Sequence, residues 1–255
     1  MKRVLKYVYK NLLPGRISQS IDIFKYLRMV KVDDLKEKNV LVLSPHPDDD
    51  IIGCGGTLRI YRQAGTEVTV VYMTDGRKGS FGTYDEEDLV LLRKDEAKRA
   101  AGIIGIDRLI FLDGKDSELS STVDALKKMS DILNDLKPDA VFLPFLLDNH
   151  PDHMATNDIF VEASKIYSSD IMCYGYEVWT PLTIPNCIVD ITETISIKMT
   201  ALGEHKSQMV KINLVDGAVG LSRYRGAIHL LRDSNAEAFV RCTASEYRRL
   251  WEVIH

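Results

Sequence analysis

From residue 39 onward, short and almost wholly apolar runs alternate with longer amphipathic ones, and few folds accept that pattern. "NVLVLSP" (39–45), "TEVTVVYMTDG" (66–76), "RLIFLDG" (108–114) and "DAVFLPF" (139–145) read as strands. "DIIGCGGTLRIYRQAG" (50–65), "EEDLVLLRKDEAKRAAGIIG" (86–105), "TVDALKKMSDILNDLK" (122–137) and "HMATNDIFVEASKIY" (153–167) read as helices. Strands that are apolar on both faces belong in a parallel sheet covered on both sides, and the intervening helices are the crossovers of βαβ units. The expected fold is α/β: a Rossmann-like, doubly wound, mostly parallel sheet with helices on both faces. Past residue 170 the pattern loosens. "DIMCYGYEVWTPL" and "NCIVDIT" read as further strands, and "TISIKMTALGEHKSQM" as a helix capped by Thr192 or Thr194. The last forty residues read as a Gly/Arg-rich loop, "LSRYRGAIHLLRDS", and a short terminal helix. No linker divides this stretch, so residues 38–255 are expected to form a single domain.

Residues 1–37 differ. Of the chain's 33 Lys/Arg and 37 Asp/Glu, residues 1–30 hold seven and one, leaving a net of −10 for the rest. A body this acidic lacks the basic face that nucleic acid requires. In "MKRVLKYVYKNLL", Lys2, Lys6 and Lys10 share one helical stripe before Pro14-Gly15 breaks the segment. Such a basic amphipathic extension suits a membrane surface, a partner, or packing on its own domain. No apolar run approaches the ~18 residues of a membrane span. The four cysteines have neither C-x-x-C nor zinc-finger spacing, and a cytoplasmic location with reduced thiols is expected.

The chemistry concentrates at two places. "SPHPDDD" puts His46, Asp48, Asp49 and Asp50 just past the first core strand, and "LLDNHPDHMA" puts Asp148, His150, Asp152 and His153 just past the fourth. In doubly wound sheets the order 3-2-1-4 makes strands 1 and 4 neighbours, and ligands bind outside their carboxyl ends. Two clusters about 100 residues apart are thus expected to face each other across one crevice. Imidazoles and carboxylates converging without cysteine suit zinc or a similar divalent ion, whose catalytic sites keep one position open. Helix capping accounts for one or two of the acids, but not for two His-Pro-Asp turns at matching strand ends. Gly53, Gly55 and Gly56 do not follow the strand directly, as a dinucleotide fingerprint would. Close packing of helix on sheet is the expected use, with Cys54 a small packing residue.

"PHPDDDIIGCGGTL", "LRKDEAKRAAGIIGI", "FLDGKDSEL", "DNHPDHMA" and "ALGEHKSQM" together resemble the successive motifs of the LmbE-like (PIG-L) de-N-acetylases, over roughly residues 39–239. The resemblance implies a zinc hydrolase, one ion per chain, that removes the acetyl group from an N-acetylglucosamine-type amino sugar or its conjugate. It also implies a homo-oligomer. Carried over position by position, it makes His46, Asp49 and His153 the metal ligands and Asp48 the general base. His150 becomes an imidazolium over the scissile carbonyl, oriented by Asp152. Arg93 and Asp116 match substrate-contacting positions, although Arg93 could instead pair with Glu96 and Asp116 could serve its turn. Where the family's first motif usually ends in Glu, this chain has Asp50. The rival readings are an amidase of another sugar-linked amide and a non-catalytic metal- or sugar-binding module.

Overall fold

In the computed structural model the described residues are 30–31, 35–80, 82–167, 171–230 and 233–254. The chain runs β1 (Val30–Lys31), β2 (Asn39–Ser44), α1 (Asp49–Gln63), β3 (Glu67–Thr74), α2 (Glu86–Ile104), β4 (Arg108–Gly114), α3 (Val123–Leu136) and β5 (Ala140–Pro144). It continues with α4 (Pro151–Ser164), β6 (Met172–Tyr176), β7 (Cys187–Asp190), α5 (Ile195–Leu202), a 3₁₀ turn (Lys206–Gln208), α6 (Leu214–His229), β8 (Ala236–Thr243) and α7 (Ala244–Ile254). The strands form one sheet in the order β1-β7-β8-β6-β5-β2-β3-β4. All pairs are parallel except those of β8 with β6 and β7. The expected 3-2-1-4 order is the run β4-β3-β2-β5. Its reversal falls between β2 and β5, where Val40, Leu41 and Val42 pair with Ala140, Val141 and Phe142.

Alternation along β2 builds two cores. Val40 and Val42 point to one face, under α1, α2, α5 and α6; Leu41 and Leu43 point to the other, under α3, α4 and α7. All four are fully buried, as a strand sandwiched between helices requires. The helix ends follow local chemistry. Asp85 accepts from the Glu87 amide to open α2, and Gly105 closes it at φ 91°. Thr122 accepts from the Ala125 amide to open α3. The glycines after the first turn pack, as expected. A Cβ on Gly53 would lie 2.2 Å from the Tyr176 ring and one on Gly56 2.8 Å from Ile191.

The last forty residues depart from expectation. The segment read as a Gly/Arg-rich loop is mostly α6, and "AEAFVRCT" is strand β8, wedged between β6 and β7. α5 starts from Thr194 but ends at Leu202, and a separate 3₁₀ turn follows at Lys206–Gln208. The expected basic helix at residues 1–13 lies outside the described residues. Within the 1–37 extension, Val30–Lys31 pairs with Cys187–Ile188, and Glu37 accepts from the Tyr61 and Tyr174 hydroxyls, each at 2.8 Å. No helix among the described residues is long and apolar enough to cross a membrane.

Tyr176 is fully buried and anchored by its hydroxyl to the Leu43 carbonyl at 2.8 Å, so it has little room to yield. Gly53→Ala should therefore destabilise by about 1–3 kcal/mol or more through overpacking. Gly102→Ala, in the interior of α2 with open space at its Cβ, should stabilise by about 0.5–1 kcal/mol. Urea unfolding of both variants checks the contrast.

Candidate active site

Both His-Pro-Asp turns leave the carboxyl ends of neighbouring strands, the first between β2 and α1, the second between β5 and α4. In the first, the His46 carbonyl accepts from the Asp48 and Asp49 amides at 2.9 and 3.3 Å. Asp49 Oδ2 accepts from the His46 amide at 2.9 Å. So tight a turn sends successive carboxylates to different partners. Asp48 Oδ1 meets Arg93 at 3.0 Å. Asp49 turns to the two imidazoles. Asp50 takes the Tyr72 hydroxyl at 3.2 Å and lies 3.4 Å from Ser44 Oγ, so its arm, shorter than the family's Glu, still ties the turn to β2 and β3. All three are buried.

Two contacts within the expected ligand set are short, both on Asp49. Asp49 Oδ2 lies 3.1 Å from His46 Nδ1 and 3.2 Å from His153 Nε2. Tetrahedral zinc with ~2.0–2.1 Å bonds to nitrogen and oxygen would hold adjacent donor atoms about 3.3 Å apart, so the spacing already suits an ion. His153 is fully buried, and neither ring nitrogen has an aligned hydrogen-bond partner. Its contacts with Asp49 and with Asp148 Oδ1, 3.3 Å from Nδ1, are ion-pair distances without hydrogen-bond geometry. A buried imidazole with unused lone-pair capacity fits a metal ligand. Among the described residues, two triplets bring ligand atoms within 4.8 Å of each other: His46 with His150 and His153, and His46 with Asp116 and Asp152; Asp49 belongs to neither.

Electrostatics separate the groups. Burial raises the Asp48 carboxyl, partly countered by Arg93, to about 6. Burial also works against an ionised Asp49, but His153 and His46 outweigh it and hold the carboxyl well below its usual range. Asp50 is pushed up to about 7 by burial. Burial would lower both His46 and His153. Hydrogen bonds to Asp116, Asp152 and Asp49 lift His46 well above the ordinary range, and Asp49 and Asp148 carry His153 to about 9.

His150 behaves differently. It caps α4, its Nδ1 accepting from the Asp152 amide at 3.2 Å. A ring that accepts at Nδ1 is neutral, with its proton on Nε2. Burial and the nearby His46 and His153 lower its pKa. This geometry suits a neutral donor at a position where the resemblance implies an imidazolium. The Asp152 carboxylate, expected to orient His150, reaches His46 Nε2 at 3.0 Å. Arg93 is buried against Asp48 and the Gly76 and Pro47 carbonyls at 3.0 and 3.1 Å. It leaves Glu96 to the Ser207 amide and hydroxyl.

These groups open on a cavity of about 160 Å³, lined by His46, Asp48, Asp49, Arg93, Asp116, Ser117 and His150, with Lys78, Gly79, Trp179, Gln208, Ile212 and Leu214 around them. That is below the ~300–1,000 Å³ of pockets that enclose a whole ligand, so it suits one end of a substrate. Three contributors carried no assignment from sequence. Asp148 Oδ2 accepts from the Trp179 and Thr180 amides at 3.0 and 3.2 Å, linking His153 to the loop that presents Trp179. Gln208 lies in the "EHKSQ" motif, whose His205 is fully buried and does not line the cavity. Trp179, 52% exposed, had no motif to mark it.

The model of the GlcNAc-PI de-N-acetylase (PIG-L) family matches residues 41–164, which include both turns. The diacetylchitobiose deacetylase of Thermococcus kodakarensis is 31% identical over 190 residues, 67% of this chain and 70% of that protein. A probable N-acetyl-alpha-D-glucosaminyl L-malate deacetylase 2 of Bacillus cereus is 32% identical over 186 residues, 68% of this chain and 84% of that protein. The structure of N,N'-diacetylchitobiose deacetylase from Pyrococcus horikoshii superposes with a TM-score of 0.73 at 25% identity, over 95% of this chain and 94% of that one. Sequence, fold and the paired turns agree: the chain belongs to the LmbE-like (PIG-L) family.

Proposed function

We propose that this chain is a zinc-dependent deacetylase of an N-acetylglucosamine-type sugar, with the ion held by His46, Asp49 and His153. One observation carries the reading: His46 Nδ1 and His153 Nε2 meet on a single Asp49 oxygen, beside a buried Asp48 that opens on the same cavity. Relatives named for diacetylchitobiose and for N-acetylglucosaminyl malate support the acetamido sugar as the shared part of the substrate. When bound, zinc supplies Lewis-acid polarisation of the amide carbonyl and lowers the pKa of water from about 15.7 towards about 7.

The chain's own residues do the rest. Asp48 accepts the proton of the attacking water, held in place by Arg93 at 3.0 Å. His150, fixed as a helix cap through Nδ1, donates from Nε2 to the oxygen that becomes negative as the carbonyl turns tetrahedral. One such preorganised donor contributes ~10²–10³ in rate. The proton on Asp48 passes to the departing nitrogen, giving acetate and the free amine. Asp116 and Arg93 border the cavity where sugar hydroxyls would lie.

Asp48→Asn should keep the ion and the fold and lower turnover by roughly 10²–10⁴-fold or more, whereas Asp49→Ala should lose metal and activity together. Zinc content measured beside acetate release from a panel of N-acetylated sugars checks both. An Asp48→Asn protein with near-normal turnover would show that the base lies elsewhere. Trp179 stands at the cavity mouth, where an aromatic face covers the apolar side of a second sugar ring. Trp179→Ala should raise KM for diacetylchitobiose several-fold, with less effect on KM for N-acetylglucosamine and on kcat. Equal effects on the two substrates would remove that role.

A further inference from the structure

Asp152 occupies the first turn of α4 and is fully buried. Its hydrogen bond with His150 runs through its backbone amide, while its carboxylate faces away. Oδ2 lies 3.0 Å from His46 Nε2 and accepts from the Ser117 amide at 2.7 Å; Oδ1 accepts from the Leu119 amide at 3.2 Å. Ser117 holds a left-handed backbone at φ 65°, a conformation uncommon for a residue with a Cβ. The loop after β4 is thus shaped to grip this carboxylate from one side while His46 meets it from the other.

We propose that Asp152 is the positioning residue of His46, fixing which of its ring nitrogens meets the metal; this rests on the metal site proposed above. A carboxylate has no proton to give at Nε2, so it requires Nε2 to carry one. With a cation held at Asp49, the Nδ1 lone pair is then free to ligate it, since Nδ1 lies 3.1 Å from Asp49 Oδ2, where His153 Nε2 also arrives. A ligating histidine commonly donates its second N–H to a carboxylate, which sets tautomer and ring orientation. The Nε2 side could itself be read as a cation site, since His46, Asp116 and Asp152 bring ligand atoms within 4.8 Å. Both carboxylates there are already committed. Asp152 serves two backbone amides, and Asp116 accepts from the Lys78 amide at 3.0 Å and the Ser117 hydroxyl at 3.0 Å. Asp49 Oδ2 accepts one backbone amide, that of His46, and turns its remaining capacity to two imidazoles. The Nε2 side is the holding side.

Asp152→Asn preserves shape but must set its carboxamide NH2 against either the Ser117 or the Leu119 amide, so it no longer offers His46 Nε2 the anionic, doubly anchored acceptor that fixes the ring. Zinc affinity, measured by chelator competition, should fall about 10–100-fold, whereas His150→Ala should bind zinc as wild type does and lose turnover. In zinc-loaded wild type with ¹⁵N-labelled histidine, His46 should carry its proton on Nε2, a readout that does not depend on how any variant folds. An Asp152→Asn protein with wild-type zinc affinity and a turnover defect like that of His150→Ala would overturn the inference. So would a zinc-loaded His46 protonated on Nδ1. A wild type that binds no divalent ion would overturn the metal reading itself, and it would be seen before any variant is made.

Discussion

Three consecutive aspartates buried at one turn set the terms for everything around them. Ionised carboxylates out of water are costly unless each is paired or hydrogen-bonded, and Asp48, Asp49 and Asp50 are 6, 1 and 0% exposed. The N-terminus of α1 offers them its dipole, but that is small against three charges. The fold meets each one separately. Arg93 reaches across from α2 to Asp48, two imidazoles close on Asp49, and Tyr72 donates to Asp50, whose carboxyl is pushed up to about 7 by burial. The partners come from β3, α2 and α4, so the turn holds its shape only when those elements are in place. A bound cation at Asp49 would answer the same electrostatic demand, which ties metal binding to the stability of the turn.

The sheet order makes those partners available. β2 and β5 are about 100 residues apart in sequence and adjacent in space, because the winding reverses between them. Each ends in His-Pro-Asp. Register then does the positioning: Val42 pairs with Phe142, so the two strands deliver their turns to the same edge of the sheet. A crevice outside the carboxyl ends of strands at such a reversal is the general ligand site of open α/β folds, and here the first listener in it is another charged turn.

Most of this is legible in the sequence. The βαβ rhythm from residue 39, the 3-2-1-4 order and the pairing of the two turns follow from apolar runs and helix signals that the structure keeps. Two elements near the end were hidden for physical reasons. α6 carries Gly217, Gly220 and Gly226 and leaves Tyr224 and Ile228 more than half exposed, so no clean buried stripe marks it as a helix. β8 contains Glu237, and a charge inside a run usually argues against a buried strand. Here Lys198 and the Gly56 and Thr57 amides satisfy it at 2.6–2.9 Å, a contact made between residues some 40 and 180 positions apart. Asp148 and Trp179 were illegible for a similar cause. What matters about them is which distant amide or cavity they meet, and local spacing does not encode that.

The three site histidines show how identical side chains are given separate work. His46 and His153 each have a carboxylate behind them, Asp152 at 3.0 Å from one and Asp148 at 3.3 Å from the other. Burial disfavours charge on both rings, yet nearby acids, Asp49 among them, raise their pKa. His150 has a backbone amide behind it instead. An amide donates, so that ring accepts at Nδ1 and carries its proton on Nε2, while burial and the two neighbouring rings lower its pKa. On the proposed mechanism, the same imidazole is a ligand where an acceptor backs it and a donor to substrate where a donor backs it. The rings lie only 4.7–5.4 Å apart, so it is what stands behind each ring, more than where the ring sits, that divides their roles.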